Sequence, residues 1–159
     1  MDSPEPVKIR APRSGDAPRL AALSTELGYP TSAADIAGRL ARLLERGDHC
    51  LRVAESPAGE VIGWIQAEER HILEAGVWCE IVGLVVDGAH RGRGAGRALV
   101  TEIEAWARAR GLRTVKVRSN VTRAESHPFY QRLGYARAKT QHVYLRPVRP
   151  AGPENTTPG

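Results

Sequence analysis

Apolar and polar positions change period several times along the chain, and each change marks an element. Residues 7–10 alternate and read as a short strand. Ser14 then stands as the N-cap of a helix over 14–27, with Pro18 tolerated in its first turn and Gly28 ending it. Ser32 opens a second helix, where Asp35 approximates the far half of a capping box. Ile36, Leu40, Leu43 and Leu44 make its buried stripe, and Gly47 closes it.

Residues 51–55 and 61–67 read as strands, and Pro57-Ala58-Gly59 between them is turn chemistry, which predicts a hairpin. Residues 77–86 are nearly continuous in apolar side chains apart from Glu80, as expected of a strand covered on both faces. A helix over 95–110 turns Leu99, Ile103 and Trp106 inward and Glu102, Glu104 and Arg108 outward, with Gly111 as its stop. Alternation returns at 114–118, a short helix at 126–133 ends at Gly134, and 140–146 reads as a last strand. From Pro147 the chain loses all periodicity and reads as a disordered tail. The element order predicts a mixed α/β layered fold, one domain over 1–146 followed by the tail 147–159.

Composition narrows the ligand more than the fold. At 159 residues, 42% hydrophobic and 26% charged, the chain suits one soluble core. A net charge of +5 favours an anionic ligand, be it nucleic acid, an acidic membrane surface or a multiply phosphorylated cofactor. Aromatic residues at 5% argue against a stacking platform for single-stranded nucleic acid. No apolar run approaches the roughly 20 residues that cross a bilayer, and the acidic, proline-rich start is unlike a secretory signal, so a cytoplasmic location is expected. Cys50 and Cys79 are too few and too far apart for a disulfide framework or a zinc site, and read as reduced, partly buried thiols.

The chemistry concentrates at Arg91-Gly92-Arg93-Gly94-Ala95-Gly96, between the apolar strand and the helix that follows. First-turn amides and the positive end of a helix point at whatever sits there, and glycine lets the backbone come close to a phosphate. Arg91, Arg93 and Arg97 add formal charge in a geometry suited to phosphate oxygens. A P-loop is excluded because no Lys-Ser or Lys-Thr follows the glycines. A dinucleotide fingerprint is excluded because Leu99 or Arg97 stands where its last glycine belongs.

What remains, Arg91-x-x-Gly94-x-Gly96 opening an amphipathic helix, resembles the Gln/Arg-x-x-Gly-x-Gly/Ala signature of the GNAT superfamily of N-acetyltransferases. The resemblance extends to Gly83-Leu84-Val85-Val86-Asp87 before the turn and to Phe129-Tyr130-Gln131-Arg132-Leu133-Gly134-Tyr135 after it, and covers residues 7 to 146. It implies a mixed, mostly antiparallel central sheet with splayed parallel strands, flanked by helices. It also implies transfer of an acetyl group from acetyl-coenzyme A to a primary amine by direct attack in a ternary complex, without a metal. The amine would be a small molecule or a protein, with neither nucleic acid nor membrane as partner, and the molecule a homodimer.

By the same resemblance, the turn from Arg91 to Arg97 would hold the pyrophosphate. The Leu84 N–H would polarise the thioester, with Val85, Val86 and Asn120 along the pantetheine arm. Tyr130 would stand as the general acid that also meets the cofactor. Glu80, the sole carboxylate in the apolar strand, is the candidate base, since partial desolvation makes a carboxylate a better proton acceptor; Glu68 and Glu69 are the alternatives. Tyr29, Trp64 and Glu80 are the candidate acceptor contacts, with Trp78 as a further wall, and Glu68, Glu69, Glu74 and Glu80 would favour a cation. Arg123, where many relatives carry asparagine, departs from the pattern, and His127 has no assigned part. Two rival readings stay open: a nucleic-acid-binding module working through Arg91, Arg93 and Arg97, and a catalytically inert coenzyme A sensor.

Overall fold

The computed structural model describes residues 6–119 and 126–152. β1 (Lys8–Arg10), β2 (His49–Glu55), β3 (Val61–Ile72), β4 (Gly76–Val86) and β5 (Val115–Val117) form one sheet in the order β1-β2-β3-β4-β5. Every neighbouring pair is antiparallel except β4 with β5, which is parallel. Helices α1 (Ala17–Glu26), α2 (Ala33–Leu44) and α3 (Ala95–Ala109) belong with the sheet to one unit, Met1–Ser119. The second unit, Asn120–Gly159, carries α4 (Ser126–Arg132). Among the described residues no helix is long and apolar enough to cross a membrane.

Strand alternation gives the sheet two different faces. On one, Val53 and Val85 pack with Leu20 and Leu23 of α1 and Leu40 of α2, and Trp64 lies against them. On the other, α3 supplies Leu99 and Ile103, both fully buried; a Cβ on Gly63 would come within 3.4 Å of Leu99. Arg52 to Glu102 (3.4 Å) and Arg110 to Glu69 (2.9 Å) tie that second face to α3.

Four local expectations need correction. Ser14 does not cap the first helix: residues 14–16 form a 3-10 turn and α1 begins at Ala17, with Asp16 at the N-cap position making no side-chain cap. The Asp16 carboxylate accepts from the Arg13 N–H (2.7 Å) and from Arg10 (2.8 Å), both upstream of α1, and this charge-assisted pair holds the 3-10 turn that takes up Ser14. β3 runs to Ile72 rather than stopping at Ala67, because its polar end stays laddered to β4 as far as Ile72↔Gly76. The expected helix stripes are thinner: in α2 only Leu40 is buried while Leu44 is 52% exposed, and Trp106 of α3 is half-buried beneath Arg110.

The last expected strand, 140–146, does not form; the chain there has no regular structure, and Val143, Tyr144 and Leu145 are exposed. A period-two pattern supplies a face, but a strand also needs a partner for its N–H and C=O groups. Among the described residues none pairs with this one.

Candidate active site

The turn after β4 is shaped by its glycines. Gly92 (φ 77°) and Gly94 (φ 94°) take the left-handed conformation, and Gly94 is the N-cap of α3. The first α3 hydrogen bond runs from the Ala98 N–H to the Gly94 carbonyl (3.0 Å), so the amides of Ala95, Gly96 and Arg97 have no acceptor within the helix. They sit at the positive end of a 15-residue helix. Gly96 lies inside the first turn without a positive φ, so its contribution is the missing side chain. Ala95 is buried, whereas Arg91 and Arg97 are exposed.

α1 braces the start of this turn. Asp87 accepts the Ala89 N–H (3.3 Å) and the Arg19 guanidinium (2.9 Å), while the Glu26 carboxylate accepts the Gly88 N–H (3.0 Å). Burial would push the Asp87 carboxyl up, but the Ala89 N–H, His90 and Arg19 together outweigh it and hold it below the usual carboxylate range. None of these bracing partners is visible in the local motif.

β4 leaves its parallel neighbour before it reaches the turn. The β4–β5 register covers only Cys79↔Val115, Glu80↔Lys116 and Ile81↔Val117. On the other side β4 stays paired with β3, but the register slips: Gly83 faces Gln66 while Ile81 faces Ala67, leaving Val82 as a bulge. The Asp87 N–H donates to the Ile62 carbonyl on β3 (2.7 Å). Strand groups alternate sides, so the N–H groups of Leu84 and Val86 face the opposite edge, which no described strand covers. The Val86 carbonyl faces that edge too, and accepts Arg91 Nε (3.4 Å).

Glu80 lies on the face shared with α1 and α2. The register aligns His49, Glu68, Glu80 and Lys116 in one row across β2 to β5. Glu80 is 4% exposed, and one carboxylate oxygen, Oε1, accepts both Trp78 Nε1 (3.4 Å) and Arg118 Nε (3.3 Å). Glu68 is held by Arg70 (3.0 Å) and stands 3.6 Å from His49. Glu69 points to the α3 face, where Arg110 foremost holds its carboxyl below the usual range despite burial. It is therefore separated from Glu80 by the sheet itself. Cys79 is no nucleophile: burial pushes its thiol up to about 12, and burial raises Cys50 as well.

The Acetyltransferase (GNAT) family profile matches residues 19–135 of this chain. The chain belongs to the GNAT acetyltransferase family. An aminoglycoside N(6')-acetyltransferase type 1 from Stenotrophomonas maltophilia is 26% identical over 147 residues, which cover 90% of this chain and 95% of that protein. The same fold recurs in an aminoglycoside N-acetyltransferase crystallised with coenzyme A (TM-score 0.80, 18% identity, 89% of this chain and 95% of that one). It recurs also in a transcriptional regulator from Bacillus halodurans C-125 (TM-score 0.79, 20% identity, 89% of this chain and 99% of that one).

Against the GNAT expectations, the first unit brings Leu84, Val85, Val86 and the turn Arg91 to Arg97 into one continuous strand–turn–helix segment. Leu84 and Val86 share the α3 face, while Val85 is buried in the opposite core. Trp64 spreads over Gly83, where a Cβ would meet its ring atoms at 2.7 Å, and its indole N–H has no acceptor among the described residues. Tyr29 is 59% exposed in the loop after α1, outside the sheet. In the second unit Tyr130 lies on α4, edge-on to Phe129 (5.1 Å) and Tyr135 (6.0 Å), with His127 on the same helix. Asn120 and Arg123 lie outside the described residues.

Sequence reasoning missed Arg118 and Lys116. Lys116 on β5 and Arg118 just past its end alternate as Trp78 and Glu80 do on β4, and that doubled period-two pattern was the available signal.

Proposed function

We propose that this GNAT acetyltransferase moves the acetyl group of acetyl-coenzyme A onto a primary amine of a cationic small molecule, by direct attack with both substrates bound. The observation that carries the reading is the open edge of β4 running into the glycine-capped amides of α3. That edge offers strand-like pairing to an amide-bearing arm, and the helix end offers N–H donors to a diphosphate. Pantetheine and pyrophosphate are joined in coenzyme A in that order, so the cosubstrate fits what the chain presents. When bound, it supplies a thioester open to nucleophiles and a thiolate that leaves.

The remaining chemistry belongs to the chain. The Leu84 N–H faces the open edge and is assigned to the acyl oxygen, where a fixed backbone donor favours developing negative charge. Val85 and Val86 continue that strand, and Asn120 is assigned to the pantetheine amides. Arg91, Arg93 and Arg97 flank the diphosphate with Gly92, Gly94, Ala95 and Gly96 beneath it. Glu80 takes the proton of the attacking amine, and Tyr130 returns one to the departing sulfur. Trp64 and Tyr29 are assigned to the acceptor side. The aminoglycoside acetyltransferases among the relatives support an acceptor carrying several amino groups.

Calorimetric titration with acetyl-coenzyme A, followed by thiol release against a panel of aminoglycosides, polyamines and lysine peptides, tests the reading. Saturable acetyl-coenzyme A binding and acceptor-dependent thiol release are expected. Failure to bind at millimolar cofactor, or salt-sensitive binding to duplex DNA in its place, overturns it.

A further inference from the structure

Three of the four carboxylates expected to attract a cation already hold cations of this chain: Arg70 on Glu68, Arg110 on Glu69 and Arg118 on Glu80. The last pair is lopsided. The Glu80 side chain is 5% exposed and the Arg118 side chain 60%. The carboxylate is fixed in the sheet, whereas the guanidinium can swing into water. Arginine binds carboxylates best through a two-pronged fork, yet here a single Nε reaches a single oxygen at 3.3 Å. Arg118 also sits just past Ile81↔Val117, where β5 stops pairing with β4.

The neighbouring pair repeats the chemistry. Lys116 is exposed, and its Nζ stands 3.7 Å from the centroid of the Trp78 ring, whose N–H holds the same Glu80 oxygen. An aromatic face and a buried carboxylate side by side recognise alkylammonium groups. Two cations of the chain now occupy that recognition surface.

We propose that Trp78 and Glu80 form a cation subsite which the chain fills with its own Lys116 and Arg118, and that a di- or polycationic amine enters by displacing Arg118 from Glu80. The inference rests on the reading of Glu80 as the acceptor-side carboxylate. A buried carboxylate stripped of its partner is strongly disfavoured, so one cation exchanges for another and the site is never vacated. The exchange also has a catalytic consequence. While Arg118 is in place, Glu80 Oε1 accepts two donors at once. Once Arg118 has left, that oxygen takes a proton from the ammonium that replaced it; the neutral amine so formed attacks the acyl carbon, and the second N–H proton goes to the departing thiolate as the amide forms. Acceptor entry thus switches the base on, and water is not activated before the amine arrives.

The test compares wild type with Arg118→Ala and Arg118→Lys, using 1,5-diaminopentane and sisomicin as acceptors and thiol release without acceptor as a second readout. Arg118→Ala is expected to lower the KM for both amines about fivefold, the scale of an exposed ion pair, and to raise acceptor-independent thiol release by a similar factor. Arg118→Lys should fall between the two. An unchanged or higher KM with lower kcat, and no extra thiol release, means that Arg118 only holds Glu80 in position and overturns the inference. Wild type turning over normally beside a kinetically identical Arg118→Ala sinks this inference alone. Wild type that accepts neither amine, while binding acetyl-coenzyme A, sinks the acceptor reading with it.

Discussion

The turn at residues 91–97 and the Glu80 row both adjoin β4 yet are built from opposite materials. The turn is main chain: helix amides freed by geometry, two glycines at positive φ, and α1 holding its start from behind through Arg19 and Glu26. The row is side chain, held by side-chain partners such as Arg70 on Glu68 and, from far along the sequence, Arg118 on Glu80. A main-chain site tolerates change in its side chains but not in its backbone angles. A side-chain site behaves in reverse. Substitutions that respect one property and violate the other separate the two regions.

Glu80→Gln should have the largest effect. The amide keeps the shape and can still accept from Trp78 or Arg118, but it cannot take a proton at useful rates. Loss of a general base is expected to lower kcat by about 10²- to 10⁴-fold, with acetyl-coenzyme A affinity unchanged by calorimetry. Near-normal turnover would remove Glu80 from the chemistry and leave it a structural carboxylate.

Gly94→Val tests the other region. Gly94 is held at φ 94°, where a branched side chain is strained by about 1–2 kcal/mol, and it caps the helix whose amides we assign to the diphosphate. Acetyl-coenzyme A affinity should fall roughly tenfold while kcat at saturation changes little. If instead affinity holds and kcat falls, the turn serves the acceptor and not the cofactor.

The same division decides what the sequence could tell. Glycine spacing after an apolar run is local, so the strand, turn and α3 were legible, as was Ser32 capping α2 through Asp35. Glu80 stood out as the lone carboxylate in its strand. Its partner Arg118 did not, because that contact depends on the β4–β5 register, which the alternation of each segment alone does not set. The 3-10 turn that takes up Ser14 was hidden for a related reason: the counter-ion of Asp16, Arg10, arrives from β1. The 140–146 segment erred the other way, since alternation describes a face and says nothing about whether a neighbouring strand exists.

Asp87 joins the two regions at the end of β4, and it should give the smallest effect with the most specific pH signature. Its folded carboxyl is held below the usual range, against burial, by Ala89, His90 and Arg19. A depressed folded value means that the stabilisation is present above the unfolded value, about 3.9 for aspartate, and is lost as pH falls through the folded one. Asp87→Asn should therefore be less stable than wild type at pH 5 to 7, by no more than about 1 kcal/mol for a partly exposed ion pair. As pH falls below about 4 the two melting curves should draw together, meeting only once pH has passed the lowered folded value, where wild type carries a neutral carboxyl too. A gap that persists unchanged to pH 3 would assign Asp87's contribution to packing and hydrogen-bond geometry and not to its charge. A coenzyme A affinity that tracks the same gap would show that bracing from α1 reaches the helix amides.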